Sequence, residues 1–470
     1  MLPVLTPAEM AEADRRTIAA GTPVEVLMER AGRAAAWMVR RRHAPYGTRV
    51  LVVCGKGNNG GDGLVAARVL RGWGAAVDVF ELADGIDRDG LQRALWRSDV
   101  AIDAMFGTGF RGELHSDAEA VSDAFAGSGC DTVAVDIPSG VDGLTGAIHD
   151  KAVIADVTVT FSALKPGHLF VPGRHHAGEV VVADIGIDAG EPALELVEAS
   201  DVWLPMRSPQ ANKWDSGLLV IGGSGGMTGA PSLVSHAAMR AGAGIVWCGV
   251  PGREAAALAS GTEVIMKALP ATADGALAGV GDLIDSVDRF HAVAVGPGLG
   301  TADETRAAVR ELVAKAATPM VLDADGLNAF AGDATALRER PATTVLTPHD
   351  GEYARLLGEP VGDDRVEAAR RLARASGCVA LLKGASTVIA EPDGRAAIST
   401  TGGPALATAG SGDVLTGIIG GLMAGSVPAF EAAVSAAFVH GRAADVAGHT
   451  GLVAGDLVAA LPRTLDELEP

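Results

Sequence analysis

RVLVVCGKGNNGGDG, residues 49–63, is an apolar, β-branched run that breaks into a glycine-rich turn and carries an aspartate near its end. A buried strand turning tightly into a helix gives this pattern, because glycines let backbone amides crowd a ligand at the strand's carboxyl end. Working outward, AAVDVF, DVAIDAMF, TVAVDI, DVTVTF and GEVVVADI alternate with helical stretches up to residue 186. That alternation marks βαβ units around a parallel sheet. Residues 188–212 lose the rhythm and carry Pro192, Pro205 and Pro209, which predicts a domain junction there. A second series then runs from LLVIGG at 218–223 through AGIVWCGV, AVAVGPGLG, MVLDADGLN, TVLTPH and VALLKG. No fixed-period repeat relates the two series. With 470 residues, more than one core of ordinary size fills, the expectation is two different α/β domains, residues 1–200 and 201–470.

Composition narrows the function. Sixty-two glycines, 48% hydrophobic residues and 4% aromatics suit helices packed closely on strands and exclude a disordered chain. A net charge of -20 argues against nonspecific binding to nucleic acid or an anionic membrane, since both require excess Lys and Arg. Anionic ligands must therefore be held locally, by backbone amides, helix N-termini or metal ions. Cys54, Cys130, Cys248 and Cys378 stand singly and read as reduced core residues. Thr6-Pro7-Ala8-Glu9 is a capping box, so the opening reads as a helix start and not a signal peptide. No apolar run has the length of a membrane span. These features predict a soluble cytoplasmic protein and leave a homo-oligomer open.

Gly55-Lys56-Gly57-Asn58-Asn59-Gly60 formally matches GxGxxG, with Asp78 and Glu81 near the distance of a ribose partner, so a dinucleotide-binding domain competes. Asp103 before Gly107-Thr108-Gly109, Asp136 before Ile137-Pro138-Ser139-Gly140, and Lys165-Pro166-Gly167 also follow strands. With Asn59 and Asp62 they converge on one crevice whose oxygen donors suit a hard cation, and Asp136 also suits an acid or base. Taken singly, Asp103 and Asp136 read equally well as caps of the following turns, and Lys165 as a solvated side chain. The ordered set GNNGGDG, DAMFGTG, VAVDIPSGVDG and ADVTVTFSALKPGH resembles the N-terminal domain of the NAD(P)H-hydrate epimerase family over residues 5–190. The resemblance implies a Rossmann-like three-layer αβα sandwich that interconverts the R and S forms of hydrated NADH and NADPH (NADHX and NADPHX). It places Asn58, Asn59, Gly60, Gly61, Asp62, Gly107, Thr108, Gly109, Phe110, Arg111, Gly112, Glu113 and Asp136 on the substrate, and potassium on Asn59, Asp103 and Ser139. Asp136 is the residue chosen as acid and base. Lys56 departs from the proline or small residue expected in that loop.

In the second half, Gly222-Gly223-Ser224-Gly225-Gly226 reads either as a phosphate loop or as a tight turn. His349, after Thr347-Pro348, reads as a turn residue or a ligand; Lys383-Gly384-Ala385-Ser386-Thr387 reads as a nucleotide contact or a hairpin turn. Ala409-Gly410-Ser411-Gly412-Asp413 opens a helical run with small residues that expose successive amides. An ordinary cap accounts for Ser411 or Asp413 but not for the flanking small residues together. GGSGGMTGAP, GPGLG, DADGLN, TPHDGEY, KGAST and AGSGDVLTG, in this order, resemble the ribokinase-like ADP/ATP-dependent NAD(P)H-hydrate dehydratases over residues 205–465. That implies a ribokinase-like αβα domain, hydrate contacts from Ala230, Gly298, His349 and Asp413, adenine-nucleotide contacts from Lys383, Gly384, Ala385, Ser386, Thr387 and Gly412, and ADP or ATP with Mg²⁺. Asp413 is the catalytic residue chosen. Gly403 stands where the family usually has asparagine. The expectation is a bifunctional repair enzyme; the alternatives are a ribokinase-type kinase with an accessory Rossmann domain, and an N-terminal domain used for sensing or scaffolding.

Overall fold

The computed structural model describes residues 1–469 except 45, 254–256 and 258–262. Contacts divide the chain into two compact units, residues 2–194 and residues 195–470 with Met1.

The first unit carries β1 (Arg49–Cys54), β2 (Ala76–Glu81), β3 (Val100–Ala104), β4 (Asp131–Val135), β5 (Val157–Phe161) and β6 (Glu179–Ala183). They form one parallel sheet in the order β2-β1-β3-β4-β5-β6. Period-two burial explains the layers: Val50, Val52, Ile102 and Val133 pack with helices α1 (Pro7–Ala19), α2 (Val24–Arg42) and α3 (Asn58–Gly72). The alternating Leu51, Val53 and Ala101 pack with Leu91, Leu95, Val121 and Phe125 in a separate core. The chain leaves β1 toward β2 on one side and β3 on the other, so a crevice opens beyond the carboxyl ends of β1 and β3. Helix α3 starts there at close quarters: a Cβ on Gly60 would lie 1.9 Å from the Gly55 carbonyl oxygen. Thr6 caps α1 with the predicted capping box, its hydroxyl accepting from Glu9 N–H.

The second unit carries β7 (Gly217–Ile221), β8 (Ile245–Pro251), β9 (Ile265–Leu269), β10 (Ala292–Val295), β11 (Met320–Leu322), β12 (Thr344–Leu346), β13 (Val379–Leu382), β14 (Thr387–Ala390) and β15 (Ala396–Ser399). Their order is β15-β14-β13-β12-β11-β10-β7-β8-β9. All pairs are parallel except β13–β14 and β14–β15. The antiparallel pairs follow from the short turns at 383–386 and 391–395, which leave no room for a crossover. The order reverses between β7 and β10, where Gly223 N–H donates to the Pro297 carbonyl at 2.8 Å. Helix α4 (Gly229–Arg240) and the later α6 (Ser411–Ala424) pack tightly, since Gly417 replaces a Cβ that would lie 2.3 Å from the Val234 carbonyl oxygen. Helix α5 (Asp350–Leu357) lies between them in sequence. Cys54, Cys248 and Cys378 are buried and unpaired, as is the half-buried Cys130. Among the described residues no helix is long and apolar enough to cross a membrane.

Candidate active sites

In the first unit the crevice widens into a cavity of about 740 Å³. Asn58, Asn59 and Asp62 reach it from α3, the Gly107–Arg111 loop from β3, Asp136 from β4, Lys165 from β5, and Asp14 from α1. Asp136 is held in a left-handed conformation, φ 67°, with its N–H donating to the Val159 carbonyl. Such strain in a non-glycine residue is kept where surrounding contacts fix it, and here they do. Lys165 Nζ donates to Asp136 Oδ1 at 2.7 Å, Thr160 Oγ1 donates at 3.1 Å, and Thr108 N–H donates to Oδ2 at 3.3 Å. Lys165 is only 1% exposed, so the reading of it as a solvated side chain is corrected: it is the buried counterion of Asp136. Sequence spacing could not show this, because the partner lies on another strand. Burial works to raise the Asp136 pKa, but the Lys165 ammonium and the hydrogen bonds outweigh it and hold the carboxyl below its usual range.

His168 buttresses this pair and was not singled out in sequence. Its Nδ1 accepts from Lys165 N–H, so the proton sits on Nε2, which donates to the Asp136 carbonyl at 2.9 Å. Burial and the Lys165 charge push its pKa down to about 4, keeping the imidazole neutral. Asp103 lies beneath the cavity, fully buried, and does act as a turn cap. Its carboxylate accepts from Ser139 N–H, Ser139 Oγ–H and Met105 N–H at 2.8, 2.6 and 3.2 Å. Burial pushes its pKa up to about 6. Ser139 in turn accepts from Phe106 N–H, which fixes the turn leading to Gly107. Gly60, Gly61, Gly112 and Glu113 do not line the cavity, whereas Asp14, absent from the sequence reading, does. Asn59 is buried and its Nδ2 has no hydrogen-bond partner.

In the second unit α6 opens at Gly410, which is left-handed at φ 89°, and no side chain caps its amides. The ordinary-cap reading is thereby removed: Ser411 Oγ donates instead to the Leu406 carbonyl, and Asp413 is not spent on the helix end. Burial, then Asp323, push the Asp413 pKa up to about 6 against the pull of Lys383. Lys383 follows β13, and a Cβ on Gly412 would lie 3.6 Å from its Nζ, so the ammonium sits beside the open helix amides. Its anchor is Asp323, 2% exposed, whose Oδ1 accepts from Lys383 Nζ at 2.9 Å and Thr347 Oγ1 at 2.8 Å. Oδ2 accepts from Thr416 at 2.8 Å. In the sequence the only signal for Asp323 is the DADGLN motif directly after a strand.

Gly384 and Ala385 are exposed at the hairpin turn and Ser386 is buried, so the hairpin reading of KGAST is realised with Thr387 opening β14. His349 caps α5, its Nδ1 accepting from Gly351 N–H at 2.9 Å, while the side chain stays 55% exposed. It is a turn residue whose other ring nitrogen, Nε2, lies 3.6 Å from Glu352 Oε1. Gly222 and Gly223 spend their amides on the Gly249 and Pro297 carbonyls, so the tight-turn reading holds there. Beyond them Gly225 and Gly226 face open space. Ala230 and Gly298 meet, a Cβ on the latter falling 3.3 Å from Ala230 Cβ. Among the described residues no cluster of three or more His, Cys, Asp or Glu is arranged for a metal.

The family described as NAD(P)H-hydrate dehydratase matches residues 218–465, and that described as YjeF-related protein N-terminus matches 24–97 and 84–167. The bifunctional NAD(P)H-hydrate repair enzyme of Moorella thermoacetica is 40% identical over 99% of this chain and 97% of its own length. That of Mycobacterium tuberculosis is 41% identical over 84% of this chain and 83% of its own. A crystal structure of the Bacillus subtilis ADP/ATP-dependent NAD(P)H-hydrate dehydratase, co-crystallised with ATP/Mg²⁺, matches 58% of this chain and 96% of its own at 31% identity and a TM-score of 0.50. A ribokinase-like protein of Enterococcus faecalis, 21% identical with a TM-score of 0.51 over 59% of this chain and 98% of its own, shares the fold of the second unit. The first unit is Rossmann-like and the second ribokinase-like, and the chain belongs to the family of bifunctional NAD(P)H-hydrate repair enzymes.

Proposed function

We propose that the first unit exchanges the R and S forms of NADHX and NADPHX and that the second dehydrates the S form to NADH or NADPH at the expense of ADP or ATP. The observation that carries this is the pair of carboxyl sites in one chain of this family: the cavity lined by Asp136, ion-paired to the buried Lys165, and the uncapped amide end of α6 beside Asp413. In the second site Asp413 takes the proton of the C6 hydroxyl while the Gly410–Gly412 amides and Lys383 hold the transferring phosphoryl group. Phosphate then leaves C6 with its bonding pair, the C5 proton passes to water, and the C5–H electron pair forms the ring double bond. Hydroxide leaves poorly and phosphate well, which is why a dehydration consumes a nucleotide. Asp323 keeps Lys383 aimed at this point. Ala230, Gly298 and His349 contact the hydrate, and the hairpin at 383–387 with Gly412 contacts the nucleotide, whose phosphates bring Mg²⁺ as their counterion.

In the first site Asn58, Asn59, Asp62, the Gly107–Arg111 segment and Asp136 hold the hydrated ring. Asn59, Asp103 and Ser139 would hold potassium: their amide, carboxylate and hydroxyl oxygens are hard donors, and a cation keeps the buried Asp103 ionised. The charge balance and unpaired cysteines fit a cytoplasmic enzyme. Purified R form incubated without nucleotide tests the exchange: chromatography should show it relaxing to an R/S mixture far faster than without protein, and persistence of pure R would refute the assignment.

Gly403 has extended backbone, φ −154°, and a Cβ there meets nothing within 4 Å. Gly403→Asn is therefore expected to change stability by no more than about 0.5 kcal/mol. Its effect should appear in the nucleotide KM of the dehydration; an unchanged KM shows that the family's asparagine makes no contact there.

A further inference from the structure

Asp14, Asp62 and Asp136 all line the N-terminal cavity, against one buried lysine. Lys165 is committed to Asp136, Thr160 and the Phe161 carbonyl. Asp62 is 8% exposed, and among the described residues its carboxyl has neither a hydrogen-bond partner nor an ion pair. The ionisable groups that line the cavity with it are Asp14 on α1, Asp136 after β4 and Lys165 after β5, with His168 bonded to the Asp136 carbonyl. Lys56 and Arg111 line the same cavity from exposed positions, and α2 turns only apolar side chains toward it. A carboxylate that is buried, unpaired and beside a second anion is costly, and it relieves the cost by keeping a proton. Burial first, then Asp136 and Asp14, push the Asp62 pKa up to about 8. Two carboxyls in one cavity are thus driven apart in protonation, Asp136 anionic and Asp62 neutral, which is how acid and base roles separate on one scaffold.

We propose that Asp62 is the proton donor of the R/S exchange, acting with Asp136 as the base. The assignment rests on reading this cavity as the epimerase site. Asp136 removes the proton of the C6 hydroxyl, the C6–N1 bond breaks with its electron pair going to nitrogen, and Asp62 protonates N1. C6 becomes an aldehyde carbon. After rotation about the C5–C6 bond, N1 attacks the other face of the aldehyde, its proton returns to Asp62, and the oxygen recovers its proton from Asp136. Both carboxyls finish in their starting states, and no oxidant, reductant or external proton is consumed.

Asp62→Asn in the full chain tests this by exchange of purified R form. The expected result is a loss in kcat of about 10²-fold or more, larger than any change in KM. The wild-type rate should fall as pH rises through about 8, and Asp62→Glu, which keeps an acid, should restore part of the rate. Stability supplies a readout of opposite sign. A carboxyl whose folded pKa is raised loses stability as pH climbs from its unfolded value near 4 to about 8, so Asp62→Asn should raise Tm at pH 8 while it slows exchange. Wild-type kcat and pH profile in Asp62→Asn, or a lowered Tm at pH 8, would overturn the role of Asp62. Failure of the wild type itself to exchange would overturn the reading of the cavity instead.

Discussion

Asp413→Asn should lower nucleotide-dependent formation of NAD(P)H by about 10²–10⁴-fold while R/S exchange persists, since it removes the base that activates the attacking hydroxyl. The size of the effect follows from what surrounds the carboxyl. No side chain caps α6, so Asp413 is not replaceable as a structural cap, and Lys383 with the open amides is left with no group to receive the proton. The pKa of about 6 sets the pH dependence. Only the ionised form accepts a proton, so the dehydration rate should rise roughly tenfold per pH unit below 6 and level off above it. A rate on S-NADHX that is flat between pH 5 and 7 would show that the base is another group. Asp413→Asn should also not lower Tm at pH 7, because a raised carboxyl pKa means that the ionised group destabilises the fold there.

Asp136→Asn is the second large effect, and it reaches stability as well as activity. It leaves the Lys165 ammonium buried without its counterion, which costs about 3–5 kcal/mol. Lys165→Met should cost a similar amount by stranding the Asp136 carboxylate. In the double variant both charges are gone, so chemical denaturation should show most of the loss recovered while exchange stays absent. Because the folded Asp136 pKa lies below its ordinary value, the carboxylate's contribution is present above about pH 4 and is lost as pH falls below that. A loss in the double variant equal to the sum of the two single losses would show that the pair is not coupled. Exchange at full rate in Asp136→Asn would remove Asp136 from the chemistry altogether.

The strands that carry both sites were legible because their apolar runs are short and bounded by glycine, and the glycine motifs marked the sheet ends where ligands gather. Ile265–Leu269 was not read as a strand, being half exposed at the sheet edge and lacking the continuous apolar signal of its neighbours. The hairpin at 383–386 stayed ambiguous, since a lysine and small residues serve a turn and a ligand equally well. The partners of each charge were the least legible. Nothing local to Lys165 distinguishes it from a surface lysine; only the approach of β4 to β5 brings Asp136 against it. Asp14 was invisible for the same reason, lying on the first helix nearly fifty residues before the loop it faces. Asp323 shows the converse, a motif noticed for its position whose role as the anchor of Lys383 needed the meeting of β11, β13 and α6.

A mixture of R and S NADHX, supplied with Mg²⁺, K⁺ and excess ADP or ATP, tests the central claim most directly by the return of NADH absorbance. Two activities on one chain predict a fast phase equal to the S fraction, followed by a slower phase that carries recovery to completion as R is converted. A plateau at the S fraction would contradict the exchange activity, and no recovery would contradict both.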